Sequence, residues 1–362
     1  MKIMLTVGLA MLGYLIFWPT SISPVAWQPD TNKGYTGPFE VNQRLANLEK
    51  LSMGKDLGPE DFAINSQGDI ATSSHSGYIL LQRKGDVGFA RWVNTKGRPL
   101  GIEFDSQDNL IVADAVRGLL SISPDGNVSV LLDSVNGSPI VYADDVDISR
   151  DGTIYFTDAT TKFSAQAYGG TLAASFLEIF EHQGHGRVYA YQPDVQHAEL
   201  LLDGLVFANG VAVSHDGRFL LVNETGKYRI LRCHLQGEAK GSCEEFVANL
   251  PGFPDNVSAT KDGFLVGLAS PRSHAADVLA PYPFVRGMIQ RLPSFMRPSA
   301  KDYGHLMKLD TAGRVIENYQ DPSGEFSFVT GAIEVEDGYY VSSLTATHVG
   351  FLPFPRAKSV KH

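Results

Sequence analysis

The stretch Asp144-Asp145-Val146-Asp147-Ile148-Ser149-Arg150-Asp151-Gly152-Thr153-Ile154-Tyr155-Phe156-Thr157-Asp158 reads as two β-strands folded about a tight turn. Asp-Gly between two apolar runs is a strong hairpin signal, because the glycine supplies the positive φ that such turns require. The unit recurs along the chain. Its turns are Ser66-Gln67-Gly68, Gln107-Asp108-Asn109, Arg150-Asp151-Gly152, His215-Asp216-Gly217, Lys261-Asp262-Gly263 and Glu336-Asp337-Gly338. Strands such as Asn109–Asp114 and Arg218–Asn223 follow them. The last residues of successive turns lie 41, 43, 65, 46 and 75 residues apart. Spacings of about 40–50 residues match four-stranded propeller blades, and the two long steps require insertions. We therefore expect an all-β chain, a six-bladed β-propeller forming one domain over residues 41–356.

Eight residues before the end of each turn stand Glu60, Gly101, Asp144, Asn209, Asp255 and Thr330. Equivalent positions of a circular repeat face one axis. Four of these six carry an oxygen donor, and Asn256 adds a fifth beside Asp255. Three carboxylates buried together without a cation would repel one another and would be costly to desolvate. Hard oxygen donors converging on a point suit Ca2+, which takes about six to eight of them in flexible geometry. The pattern predicts a calcium site at the axis, held by Glu60, Asp144, Asn209, Asp255 and Asn256. A second set, Asp114, Asp158 and Glu224, lies at the ends of the next strands. We expect it to hydrogen-bond between blades rather than to line a pocket.

The insertions fall at about 160–186 and 271–298. Both are apolar, and the first contains a helical stretch over Leu172–Phe180. Each follows the second strand of its blade, which puts it on the ligand-binding face as a lid or wall for an apolar ligand; packing against each other or against a membrane is the alternative. Residues 1–18 form an apolar segment behind a single lysine, at the lower limit of a membrane span and the upper limit of a signal-peptide core. No good cleavage site follows, so an uncleaved anchor is favoured over a cleaved signal. The body would then lie outside the cytoplasm, periplasmic in a bacterium and lumenal or extracellular in a eukaryote. Residues 19–40 read as a linker. Cys233 and Cys243 flank a hairpin loop, where a disulfide and two free thiols are both open. The net charge of −10 argues against a nucleic-acid partner, which would need a basic face.

No Gly-x-Ser-x-Gly elbow, His-Glu-x-x-His or P-loop occurs. His75, His274 and His348 are scattered and read as surface or strand-end residues. Asn256-Val257-Ser258 matches a glycosylation sequon, a coincidence if Asn256 faces the axis.

The segments Arg98-Pro99-Leu100-Gly101-Ile102, Val112-Ala113-Asp114-Ala115, Ile154–Asp158, Phe207-Ala208-Asn209-Gly210-Val211 and Pro251–Asn256 resemble the strictosidine-synthase-like six-bladed propellers. The resemblance runs from about Gly58 to Pro353 and points within that family to the adipocyte plasma membrane-associated protein group, which carries an N-terminal membrane anchor. More distantly, the chain is similar to gluconolactonase/regucalcin (SMP-30), diisopropyl fluorophosphatase and paraoxonase propellers. These are calcium-dependent hydrolases. The resemblance implies calcium ligands at Glu60, Asn209 and Asp255, with Asp144 where Asn is usual, and Asn256 as a further contact. It departs from strictosidine synthase at Gly331, where that enzyme has a glutamate. It departs from paraoxonases at Leu100 and Ala115, which stand where a histidine pair is used. The reading reached is a calcium-dependent ester or lactone hydrolase, with Asp255 as the catalytic residue and a small apolar ester or lactone as substrate. A non-catalytic, membrane-anchored binding propeller with structural calcium is the alternative.

Overall fold

The computed structural model describes residues 2–355. Six four-stranded antiparallel sheets form the blades of a propeller. Their innermost strands are Phe62–Ile64, Pro99–Phe104, Ala143–Ile148, Ala208–Val213, Gly252–Ala259 and Val329–Val335. Each Ser/Asp-Gly turn of the repeat joins the first and second strands of a blade. Alternating strands bury one side chain in two against each neighbouring blade, so both faces of every sheet are covered. Ile111, Val146, Phe156 and Tyr189 from two successive blades share one such core. Ala212, Leu221, Val257, Val266 and Met307 share another. Each fully buried side chain of this size contributes about 1.5–3 kcal/mol.

The ring is closed by a strand from the beginning of the chain. Glu49–Ser52 pairs with His348–Pro353, from Glu49 opposite Phe351 to Ser52 opposite His348. The sixth blade therefore takes its outer strand from the N-terminal side, which leaves no gap between first and last blades. Nothing in the repeat pattern marks this strand, because it lies before the first Gly turn and carries two charged or polar ends.

Among the described residues four α-helices lie outside the blades: α1 (Lys2–Phe17), α2 (Thr171–Glu181), α3 (His274–Leu279) and α4 (Pro283–Gln290). The first is an apolar run of 16 residues with no burial. No helix among the described residues is long and apolar enough to cross a membrane. Helix α2 is the 160–186 insertion; α3 and α4 form the 271–298 insertion. Both insertions leave from second strands and stand on the same end of the propeller.

The stretch from Pro19 to Tyr35, polar and proline-rich, makes specific contacts with both insertions. Ile22 is buried. Val25 N–H donates to Glu181 O (3.0 Å) and Trp27 N–H to Ala280 O (3.3 Å). The Arg286 guanidinium, itself buried, donates to the carbonyls of Val25 and Phe180. The Trp27 indole stacks on His182 with centroids 3.9 Å apart. Cys233 and Cys243 stand opposite each other on the outer strands of the fourth blade and form a disulfide.

Inner strands approach one another so closely that some positions tolerate no side chain. A Cβ on Gly210 would stand 2.6 Å from both Asp255 O and Val257 N of the next blade. Gly210→Ala should therefore cost about 1–3 kcal/mol by overpacking, read as a lower urea midpoint with an unchanged m-value. An unchanged midpoint would show that the fourth and fifth blades are not packed at this distance.

Candidate metal centre at the propeller axis

The inner strands are bulged at one place. Register shifts fall between Pro99 and Ile102, Ala143 and Val146, Ala208 and Val211, Pro254 and Val257, and Val329 and Ala332. These gaps contain Gly101, Asp144, Asn209, Asp255 and Thr330. A bulge inserts an extra residue and re-aims a side chain, so the eight-residue offset from each turn counts back to the bulge. In the first blade Glu60 and Asp61 lead directly into Phe62–Ile64 without a bulge.

The five predicted residues are all buried: Glu60 is 1 % exposed, Asp144 4 %, Asn209 4 %, Asp255 6 % and Asn256 1 %. Asn256 Nδ2 donates to Glu60 Oε1 and to Glu60 O, each at 3.1 Å, across the axis from the fifth blade to the first. Gly331 makes room for it, since a Cβ there would stand 3.2 Å from that of Asn256. The Asn209 side chain lies beside Asp255 and favours its ionised form. Within this set of five, four oxygens are buried without a hydrogen-bond partner: Glu60 Oε2, Asp144 Oδ2, Asn209 Oδ1 and Asn256 Oδ1. Buried polar atoms are almost always satisfied, and unpartnered oxygens of one chemical type on neighbouring residues fit a partner of the opposite charge.

Electrostatics agree. Burial pushes the Glu60 carboxyl well above its ordinary value, and the charges of Asp255, Asp144 and Asp61 push it further. Burial and Asp255 do the same to Asp144. Asp255 is raised to about 7, by burial first, against the Asn209 hydrogen bond. The buried Arg98 guanidinium is the cation that offsets part of this repulsion at Glu60 and Asp144. Among the described residues, no three His, Cys, Asp or Glu side chains by themselves form a metal-holding group. The candidate set depends on the two asparagine amide oxygens, which fits a hard, oxygen-seeking cation and not a soft one.

Backbone ties hold the segments in place. Asn223 Nδ2 donates to Asp255 O and Thr225 Oγ1 to Pro254 O, both at 2.6 Å. Thr330 Oγ1 donates to Glu60 O at 2.6 Å. Asp61 accepts from Ile102 N–H (2.9 Å) and Asp145 from Val211 N–H (2.7 Å), each reaching into the next blade. Sequence reasoning missed these two acids, although each directly follows a predicted donor, as Asn256 does.

Asp114, Asp158 and Glu224 do serve as ties at the blade edges. Asp114 accepts from Thr95 Oγ1 and Arg98 N–H, bonding the end of the first blade to the second. Asp158 accepts from Tyr142 N–H and Glu224 from Val206 N–H, each fixing the approach to its own inner strand. Leu100 and Ala115 are buried in an apolar cluster with Tyr142 and Phe207, so no imidazole is near the axis at those places. Glu334, three residues past Gly331, is held by Lys308 Nζ at 2.9 Å. Asn256 and Asn223, both sequon positions, are too buried to accept a glycan.

Above the polar residues lies a cavity of about 370 Å³. Asn209 and Asp255 line it, together with Phe176 and Phe180 of α2, Phe207, Phe253, Phe328 and Arg297. Both insertions contribute walls, as their position in the repeat predicts. Phe207 and Phe328 have φ of 61° and 52°. Bulky residues rarely adopt this conformation, and such strain gathers at functional sites. No histidine lines the cavity among the described residues.

Asp144→Asn removes one of three mutually repelling carboxylates with little change of shape. In chelator near about pH 8 it should raise the stability of the protein by about 1 kcal/mol or more, measured by thermal melting. A lowered melting temperature would mean that Asp144 is compensated within the protein.

A strictosidine synthase family model matches residues 144–238, and a strictosidine synthase-like N-terminal model matches residues 37–81. The chain is 33% identical over 313 residues to Protein STRICTOSIDINE SYNTHASE-LIKE 13 of Arabidopsis thaliana, covering 84% of this chain and 72% of that protein. It is 30% identical over 374 residues to the adipocyte plasma membrane-associated protein of Rattus norvegicus, covering 96% and 97%. Among solved structures, a gluconolactonase of Xanthomonas campestris superposes with a TM-score of 0.63 at 17% identity, over 92% of this chain and 98% of that one. A calcium-binding protein, regucalcin, of Agrobacterium tumefaciens superposes with a TM-score of 0.56 at 12% identity, over 81% and 85%. These structural likenesses show the shared propeller fold, whereas the full-length sequence identities show descent: the chain belongs to the strictosidine synthase-like family.

Proposed function

We propose that this protein is a calcium-dependent hydrolase of esters or lactones, working at the propeller axis on small apolar substrates. The observation that carries this reading is the group of four buried, unpartnered side-chain oxygens beneath an apolar cavity. Glu60, Asp144, Asn209, Asp255 and Asn256 would hold the ion. The set is all oxygen, with three carboxylates and two amides, as calcium prefers. When bound, the ion supplies polarisation of the substrate carbonyl and charge for the developing oxyanion. The calcium-binding regucalcin fold and the gluconolactonase fold lend support by analogy of architecture.

The chain's own residues do the rest. Asp255 lines the cavity and reaches the axis, so its carboxylate is our candidate to take the proton of an attacking water. The water oxygen bonds to the carbonyl carbon, the ester bond breaks, and the proton passes to the departing alkoxide. Asn209, beside Asp255, favours the ionised carboxylate that this step needs. Phe176, Phe180 and Phe253 exclude water and receive an aryl or alkyl group. No carboxylate stands at Gly331, which disfavours an amine condensation of the strictosidine synthase type.

We further infer that the body is held at a membrane through the N-terminal segment, on the extracytoplasmic side. The name of the rat relative supports membrane association, and the Cys233–Cys243 disulfide suits an oxidising compartment.

The full-length protein should hydrolyse phenyl acetate or a medium-ring lactone in calcium and lose that activity in chelator. Asp255→Ala should lower kcat by at least about 100-fold. A melting temperature that rises with calcium without any turnover would replace the hydrolase reading with a binding propeller.

The pH dependence has a defined sign. Carboxyls raised by burial favour the protonated fold, so without metal their contribution to stability is present below the ordinary value of about 4. It is lost as pH rises through about 7, the value of Asp255. Calcium needs the ionised forms. The rise in melting temperature caused by calcium should be small near about pH 5 and grow towards about pH 8. A rise independent of pH would place the ion away from these carboxylates.

A further inference from the structure

We propose that the cavity-bearing end of the propeller is a membrane-docking face, so that the mouth of the cavity opens against lipid and not into bulk water. Exposed aromatic side chains gather at this end of the propeller. Among the described residues, those exposed are Tyr14, Phe17, Trp18, Phe176, Tyr282, Phe284 and Phe295. All of them lie in α1, at its end, or in the two insertions. The large apolar residues exposed elsewhere are aliphatic, such as Val87, Val195 and the neighbours Leu200 and Leu201. Phe295 is 85 % exposed and Phe284 62 %. A soluble surface does not collect its aromatics in one place without a partner.

This aromatic surface is continuous with the cavity. Phe176 is both partly exposed and a cavity wall, and Phe295 sits between Ser294 and Arg297, which line the same cavity. The apolar surface is thus the rim of the mouth.

Helix α1 is attached beside it. A helix apolar on every side belongs in a core or in lipid, and α1 has no buried residue. It does not hang on a free tether. Arg291, just past α4, donates to the carbonyls of Trp18 and Leu15, and Tyr14 Oη donates to Arg291 O at 3.2 Å. A cation on the last carbonyls of a helix is a favourable cap. Whatever bilayer takes up α1 therefore meets α4 and the rim next to it.

Charge selects a bilayer over other occupants. The chain carries −10 overall, yet between Asp277 and Asp302 there is no acid, and outside the buried Arg286 that stretch presents Arg291, Arg297 and Lys301. A basic, aromatic-rich rim on an acidic protein suits an anionic headgroup layer with acyl chains behind it. The ligands delivered to such a mouth would be those that partition into membranes. This inference concerns orientation and stands whether or not turnover follows.

The test uses the full-length chain with phosphatidylcholine–phosphatidylglycerol vesicles. The native cysteines are disulfide-bonded, so a single introduced cysteine takes an environment-sensitive fluorophore. Phe295→Cys reports the rim. Val87→Cys, 97 % exposed in a third-to-fourth-strand turn at the opposite end, reports water. The Phe295 probe should shift to the blue on adding vesicles and be quenched several-fold more by spin-labelled lipid than the Val87 probe. In a Tyr282→Asp/Phe284→Asp background the protein should still float with vesicles through α1, while that quenching falls. Two outcomes overturn the proposal. Equal, water-like readings from both probes on floated protein mean that α1 alone makes the contact. A Phe295 probe already blue-shifted without lipid, in a protein that is dimeric in detergent, means that a second copy covers the rim.

Discussion

Closing a ring of six similar blades forces equivalent residues onto one axis, and the charge gathered there is the constraint on which the rest of the molecule depends. Three carboxylates, Glu60, Asp144 and Asp255, are buried within reach of one another's charge. Their mutual repulsion would oppose ring closure. The structure offsets it in part, through the buried Arg98 and through amide donors from Asn209 and Asn256. What it leaves open is a set of unpartnered oxygens. A protein that selected only for stability would have placed apolar residues there.

Strand geometry makes this concentration possible. The bulges in the third, fourth and fifth inner strands turn Asp144, Asn209 and Asp255 towards the axis without breaking the ladder on either side. Around them, small residues and backbone-directed hydrogen bonds hold the segments at close approach. Gly210, Gly331, Thr330, Asn223 and Thr225 each act on main chain of a neighbouring segment. Asp61 and Asp145 bind the first blade to the second and the third to the fourth. Rigidity at the axis and openness above it come from different parts of the chain. Blades supply the first, and the two insertions, strapped by the Pro19–Tyr35 segment, supply the second.

Much of the candidate site was legible because its cause is local. Asp-Gly turns and alternating strands announce themselves within a few residues, and a fixed count back from each turn reaches the bulge. Asp61 and Asp145 were legible by the same count plus one, but an acid beside an acid looks redundant until its hydrogen bonds are seen. The aromatic walls were visible only as apolar insertions. Their left-handed backbone at Phe207 and Phe328 has no sequence signal, since phenylalanine is a poor residue for that conformation.

By itself the sequence determined the number of blades, the residues that face the axis and the blades from which the insertions leave. Each of these follows from a periodicity that the chain repeats every few tens of residues. Tertiary structure alone decided the closure of the ring by Glu49–Ser52, the course of the N-terminal strap over both insertions, and the docking of α1 beside the cavity mouth. These contacts join residues hundreds of positions apart. They occur once, not six times, and their partners are chosen by shape and by unpaired backbone groups that no local pattern encodes.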